Sequence, residues 1–204
     1  LAELAALLRD YFRSMTEVIF EEKGTLDKFI GDGLMAVFGA PMPLPDGAVR
    51  ALRCAWRMLS RVDEMSRRLP ADRRLSIRVG VNTGRVVVGN IGSERRTKYS
   101  VVGSDVNFAS RMEAFALGGQ VLISAATYSR VQDLVEVGNA IRVEMKGLPE
   151  AAILYEVRSI GAPYNLRLPE KSHRWEPLPR PLRVEISRLQ DKIVTGVPVP
   201  ACIT

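Results

Sequence analysis

The sequence is nearly without histidine: of 204 residues only His173 is one, and it lies in a proline-rich region near the C-terminal end. A histidine base or a His-rich metal site therefore has little to draw on, and carboxylates, lysines and arginines must carry whatever chemistry the chain performs. Cysteine is equally scarce. Cys54, in a helical stretch, and Cys202 make neither a disulfide framework nor a metal cluster. No apolar run approaches the roughly 18 residues that a membrane helix needs, and no signal-peptide pattern opens the chain, so a cytoplasmic location is expected. Acidic residues are the minority, leaving a net charge of +6, which invites a nucleic-acid reading. That charge is concentrated, however: from Arg158 onward there are eight basic and four acidic side chains. A Pro-rich basic tail is more often a solvated linker than a groove binder, so no nucleic-acid partner is expected.

What is present is ordinary for a globular protein: 47% hydrophobic and 25% charged residues, enough for one well-buried domain plus an appendage. The spacing of Leu1, Leu4, Leu8, Phe12, Met15 and Ile19 predicts one face of an amphipathic helix ended by Gly24. The pattern already runs at residue 1 without a capping residue or an initiating Met, so an upstream segment is expected. TLDKFIGDGLMAVFG predicts two short strands around a Gly31-Asp32-Gly33 tip. Helical spacing returns over residues 46–68. LSIRVGVNTG and RVVVGNIG read as β-branched strands joined near Thr83-Gly84, followed by a basic loop over residues 93–98 and the strand YSVVG. Ser104 reads as the N-cap of a helix with the stripe Phe108, Met112 and Phe115. A buried strand GQVLIS, a short helix and the strands IRVEMK and AAILYEV follow. Strands and hairpins mixed with helices favour an α+β sandwich with a mostly antiparallel sheet. Residues 1–157 read as one domain and 158–204 as a Pro/Arg-rich extension, in which RVEISRL resembles a strand.

Several polar residues stand out against this frame. Gly31-Asp32-Gly33 by itself is a tight turn that Asp tolerates well. Lys28 by itself is a strand lysine, and Ser100 an ordinary strand hydroxyl. Asn107 and Arg111 are four apart on one helix, about 6 Å from each other on one face. Lys146 ends a strand before Gly147-Leu148-Pro149. The glycines of VGVNTG and VVVGNIG match no phosphate-binding loop.

Taken in order, DKFIGDGLMAVFGAP, RVGVNTGRVVVGNIGSERRTKYSVVG, DVNFASRME and VEMKGLPE resemble the class III adenylyl/guanylyl cyclase catalytic domain over about three quarters of the chain. The prokaryotic homodimeric members are the most similar in character. The resemblance implies a ferredoxin-like βαββαβ fold and conversion of ATP to 3′,5′-cyclic AMP and pyrophosphate. In that reaction the ribose 3′-oxygen attacks the α-phosphorus, with two Mg²⁺ or Mn²⁺ ions at the attacking and leaving oxygens. Asp32 matches one of the two metal-binding aspartates. The other belongs to a first strand, in a segment like FxDIxGFT, which is expected upstream of Leu1. The chain as given is therefore expected to be weak or inactive. Lys28 matches the residue that reads the base, and an ammonium donor suits the acceptor N1 of adenine. Ser100 falls on its companion position, where Asp or Thr is more usual; a hydroxyl there points to the subclass pairing Lys with Thr, some of whose members respond to bicarbonate. Asn107 would orient the ribose, Arg111 would stabilise charge on the α-phosphate, and Lys146 would hold the terminal phosphates. Arg95, Arg96 and Lys98 fall near an arm that grips the second subunit. Two copies would pair head to tail with sites across the seam, and a heterodimer is the other arrangement to weigh. The alternatives are a non-catalytic homology domain for dimerisation or nucleotide sensing, and a diguanylate cyclase, whose GG(D/E)EF-like turn is absent.

Overall fold

Helix α1 (Ala2–Glu21) forms on the expected stripe, but only its second half is packed. Tyr11, Met15, Val18 and Ile19 are buried, whereas Leu4 is 56% exposed. The helix ends at Glu21, three residues before the glycine expected to stop it. Lys23 adopts the left-handed conformation, with φ 61°, and the Gly24 N–H donates to the Ile19 carbonyl at 2.8 Å. Gly24 is needed for space: a Cβ there would lie 2.8 Å from the Phe38 ring and 2.9 Å from Ile19. The computed structural model describes residues 2–71, 74–145, 150–167 and 198–203, so Lys146 and the stretch RVEISRL lie outside the described residues.

The chain continues through β1 (Thr25–Ile30), β2 (Gly33–Val37), α2 (Gly47–Arg67), β3 (Val79–Arg85), β4 (Val87–Ser93), β5 (Arg96–Val102) and α3 (Ser104–Glu113). It then forms β6 (Val121–Ser124), α4 (Ala125–Val131), β7 (Val135–Val143), β8 (Ala152–Ile160), β9 (Leu166–Arg167) and β10 (Pro198–Ile203). The main sheet runs β1-β2-β10-β3-β6-β8-β7, with β9 on β8, and β4 and β5 form a separate ribbon. Among the described residues only β3 and β6 pair in parallel; the other pairs are antiparallel, as expected. Assigned to the extension on sequence, Pro198–Ile203 pairs with both β2 and β3 in the middle of the sheet.

Both faces of the sheet are covered, which explains why β2 is a continuous apolar run. Leu34 and Ala36 face a core with Met15, Leu52, Met58 and Ile123, supplied by α1, α2 and β6. Met35 and Val37 face the other side, against Val86, Val101 and Ala109 from the β4–β5 region and α3. The helix pair is also tied electrostatically: Glu22 is fully buried and accepts from Arg53 and Arg57 of α2, each at 3.0 Å.

Four local expectations are corrected. There is no turn at Thr83-Gly84, both of which lie inside β3. The basic loop over residues 93–98 is mostly strand, closed by a tight turn at Glu94 and Arg95. Ser104 is the first residue of α3, whose N-cap is Gly103. Of the expected stripe Met112 is buried and Phe108 partly buried, but Phe115 lies beyond the end of that helix and is exposed, and Ala109 is buried in addition.

Gly84 holds α3 in place by its lack of a side chain. A Cβ there would meet Asp105 Cγ at 2.1 Å. Asp105 accepts the Arg85 N–H at 2.8 Å, and the Asn82 amide donates to the Asp105 carbonyl at 3.0 Å. Gly84→Ala should therefore push the start of α3 off β3, at a cost of about 1–3 kcal/mol in stability. Chemical denaturation would show this as a lower midpoint with an unchanged slope.

Candidate active site

The site begins at an irregularity in the β1–β2 hairpin. Leu26 pairs with Ala36 and Lys28 with Met35, so Asp27 is an extra residue in β1, a bulge. In a regular strand, neighbouring side chains point to opposite faces. A bulge re-aims them, and here Lys28 Nζ lies 3.0 Å from Asp27 Oδ2. Asp27 is 4% exposed, while the Lys28 side chain remains 38% exposed.

Strand β5 crosses this bulge. Lys98 and Ser100, two apart, share a face of the strand. Ser100 Oγ donates to Asp27 Oδ1 at 2.6 Å, and Lys98 Nζ donates to the Asp27 carbonyl. Lys98, expected on an arm toward a second subunit, is thus engaged within its own chain. Ser100 is 9% exposed. The residual cavity beside Thr25, Asp27, Val37 and Ser100 is about 10 Å³, room for a single water at most. The structure thus brings Lys28 and Ser100 together through Asp27. Sequence reasoning missed Asp27 because period-two alternation puts it on the face opposite Lys28; only the register shift reveals otherwise.

The remaining residues occupy other places. Asp32 sits exposed at the hairpin tip, next to Gly31 with φ 63°. Asn107 and Arg111 lie one turn apart on the exposed side of α3, away from buried Ala109 and Met112. The docking of α3 onto β3 through Gly84 and Asp105 sets where they stand. Asp32 offers the hard oxygen that Mg²⁺ or Mn²⁺ prefers. Among the described residues, however, no group of three or more His, Cys, Asp or Glu side chains could hold an ion. The inserted strand Pro198–Ile203 contributes no carboxylate. One exposed aspartate does not make a two-ion site, so the described residues do not fit that pair of ions.

The mixed α+β fold matches that of solved nucleotidyl cyclase structures, and the sequence comparisons agree. Residues 2–159 match the family described as adenylate and guanylate cyclase catalytic domain, and the chain belongs to this class III family. It is 33% identical over 159 residues to Adenylate cyclase 1 of Rhizobium meliloti (strain 1021), a match covering 76% of this chain and 24% of that protein. Among solved structures, the guanylyl cyclase Cya2 shares 41% identity at a TM-score of 0.78, over 82% of this chain and 86% of that one. The adenylyl cyclase CyaB from P. aeruginosa shares 31% identity at a TM-score of 0.72, over 77% and 83% of the two chains. The chain thus spans about a quarter of the length of the Rhizobium relative, or 24%. Among the described residues no helix is long and apolar enough to cross a membrane.

Proposed function

We propose that this domain is an adenylyl cyclase, binding ATP and forming cyclic AMP at the seam of a homodimer. The observation that carries the choice of base is the Lys28–Asp27–Ser100 cluster at the β1 bulge. Lys28 offers only donors and suits adenine N1, whereas guanine N1 is itself protonated. Asn107 orients the ribose, and Arg111, with its planar and permanently charged fork, meets negative charge growing at the α-phosphate. Lys146 holds the terminal phosphates as a point charge. Pairing of two copies is supported by apolar side chains left exposed around the cluster: Phe29, Ile30, Tyr99 and Val102. Across such a seam Lys28 and Asp32, neighbours on one hairpin, serve different sites.

That the described residues offer one exposed aspartate at the hairpin tip and no ion-holding cluster favours a second reading, a non-catalytic homology domain for dimerisation or nucleotide sensing. The two readings separate in one assay. Conversion of Mn²⁺-ATP and Mn²⁺-GTP is followed for this chain alone and for the full-length protein. The adenylyl cyclase reading expects cyclic AMP from the full-length protein and little or none from the chain alone. Turnover by neither would favour the non-catalytic reading, and a preference for GTP would overturn the assignment of the base. Robust activity of the chain alone would show that a second aspartate is dispensable.

A further inference from the structure

We infer that Asp27 is a positioning residue that sets the hydrogen-bonding polarity of the base-reading pair, so that the site selects a purine with an exocyclic amino group beside a ring-nitrogen acceptor. The inference rests on the proposed role of Lys28 and Ser100 and assigns a function to a residue outside that set.

The polarity of the pair is set by the proton on Ser100. A hydroxyl has one hydrogen and two lone pairs, and a carboxylate can only accept. At 2.6 Å from Asp27 Oδ1, the Ser100 hydrogen is committed inward. Any further group meeting Ser100 Oγ then finds lone pairs alone. An amino group, as on carbon 6 of adenine, is matched there; a carbonyl, as on carbon 6 of guanine, is opposed. A free serine would serve both, because its hydroxyl rotates. Ser100 alone is therefore ambiguous, and Asp27 removes the ambiguity.

The same carboxylate restrains the partner. Lys28 Nζ lies 3.0 Å from Asp27 Oδ2, yet Oδ2 has no hydrogen-bond partner in the structure, so this contact is an ion pair off hydrogen-bonding geometry. The ammonium is held near Ser100 while its N–H groups remain available to a ring nitrogen. Asp27 does not reach the base itself. It is 4% exposed, and the cavity beside it, about 10 Å³, has no room for a nucleobase. The Lys98 bond to the Asp27 carbonyl pins the bulge that aims the carboxylate. Donor and acceptor thus come from two strands, and one buried carboxylate fixes the sense of both.

The test is nucleotide selectivity in binding, which does not require turnover. The full chain is titrated calorimetrically with 3′-deoxy-ATP and 3′-deoxy-GTP, which lack the attacking hydroxyl and cannot cyclise. The wild type is expected to prefer the adenine nucleotide. In Asp27→Asn, the amide can donate to Ser100 and release its hydrogen outward. The preference should fall about tenfold or more, the scale of one misdirected hydrogen bond. Ser100→Ala should lose a similar factor, and the double variant no more than either single change, since both act through one hydroxyl. An unchanged preference in Asp27→Asn, with wild-type melting temperature, overturns the inference while leaving the adenylyl cyclase reading intact. Should Asp27→Asn not fold, Ser100→Ala and Ser100→Thr decide: the preference must fall in the first and survive in the second, and any other pattern overturns the inference. A wild type that prefers guanine, or neither base, removes the base-reading proposal itself and the inference with it.

Discussion

Replacing Glu22 with alanine is expected to lower the melting temperature by roughly 6–12 °C. Glu22 is fully buried just after α1 and accepts from two guanidinium groups of α2, Arg53 and Arg57, both at 3.0 Å. Removing one partner of a buried ion pair is costly because the other charges stay behind without compensation. The cost falls at the lower end of the usual range, about 3 kcal/mol, for two structural reasons. The Arg53 and Arg57 side chains are 27% and 33% exposed and can turn toward water, and Arg57 also has Glu21 as a partner. Glu22→Gln keeps the shape and should cost less than Glu22→Ala. Thermal unfolding followed by circular dichroism measures both. A melting temperature unchanged in Glu22→Ala would mean that the α1–α2 seam is held by its apolar contacts alone.

Arg111→Ala is expected to reduce the rate of cyclic AMP formation by about 10²–10³, with little effect on KM. Its place on the exposed side of α3, beside Asn107, suits a group that meets the substrate rather than the core. A planar cation aimed at charge that grows during the reaction stabilises the transition state more than the ground state, and that difference appears in kcat. Arg111→Lys keeps the charge without the fork and should recover part of the loss. The measurement is steady-state kinetics with Mn²⁺-ATP on the full-length protein. A variant that raises KM and leaves kcat unchanged would assign Arg111 to ground-state binding instead.

Much of this was legible in the residues. The β1–β2 hairpin follows from Gly31-Asp32-Gly33 between two apolar strands, and α2 from apolar spacing over a long window, because both signals are local. The strand β6 and the helix α4 were equally readable, with Ser124 capping α4 through the Thr127 N–H. Where local chemistry is ambiguous, residue type and spacing misplace an element boundary by a residue or more. Ser104 is a good cap by type, but the backbone of Gly103 takes that position. Thr83-Gly84 looks like a turn by composition. There the glycine serves close packing against Asp105 rather than a change of direction. Phe115 fits a helical stripe by spacing alone, yet α3 has already ended at Glu113.

By itself, then, the sequence determined the class of fold, the order of its elements and the candidate polar residues on them, since periodicity and turn chemistry are short-range properties. Only the tertiary structure decided the contacts between distant segments. The strand Pro198–Ile203 has prolines at positions 198 and 200, which lack the N–H that a central strand donates. Nothing local marks it as the strand lying between β2 and β3. Asp27 and Ser100, 73 residues apart, meet because a register shift in β1 turns a side chain that alternation would send elsewhere. A bulge is defined by the partner strand it fails to match, so its effect on the site appears only when both strands are in place.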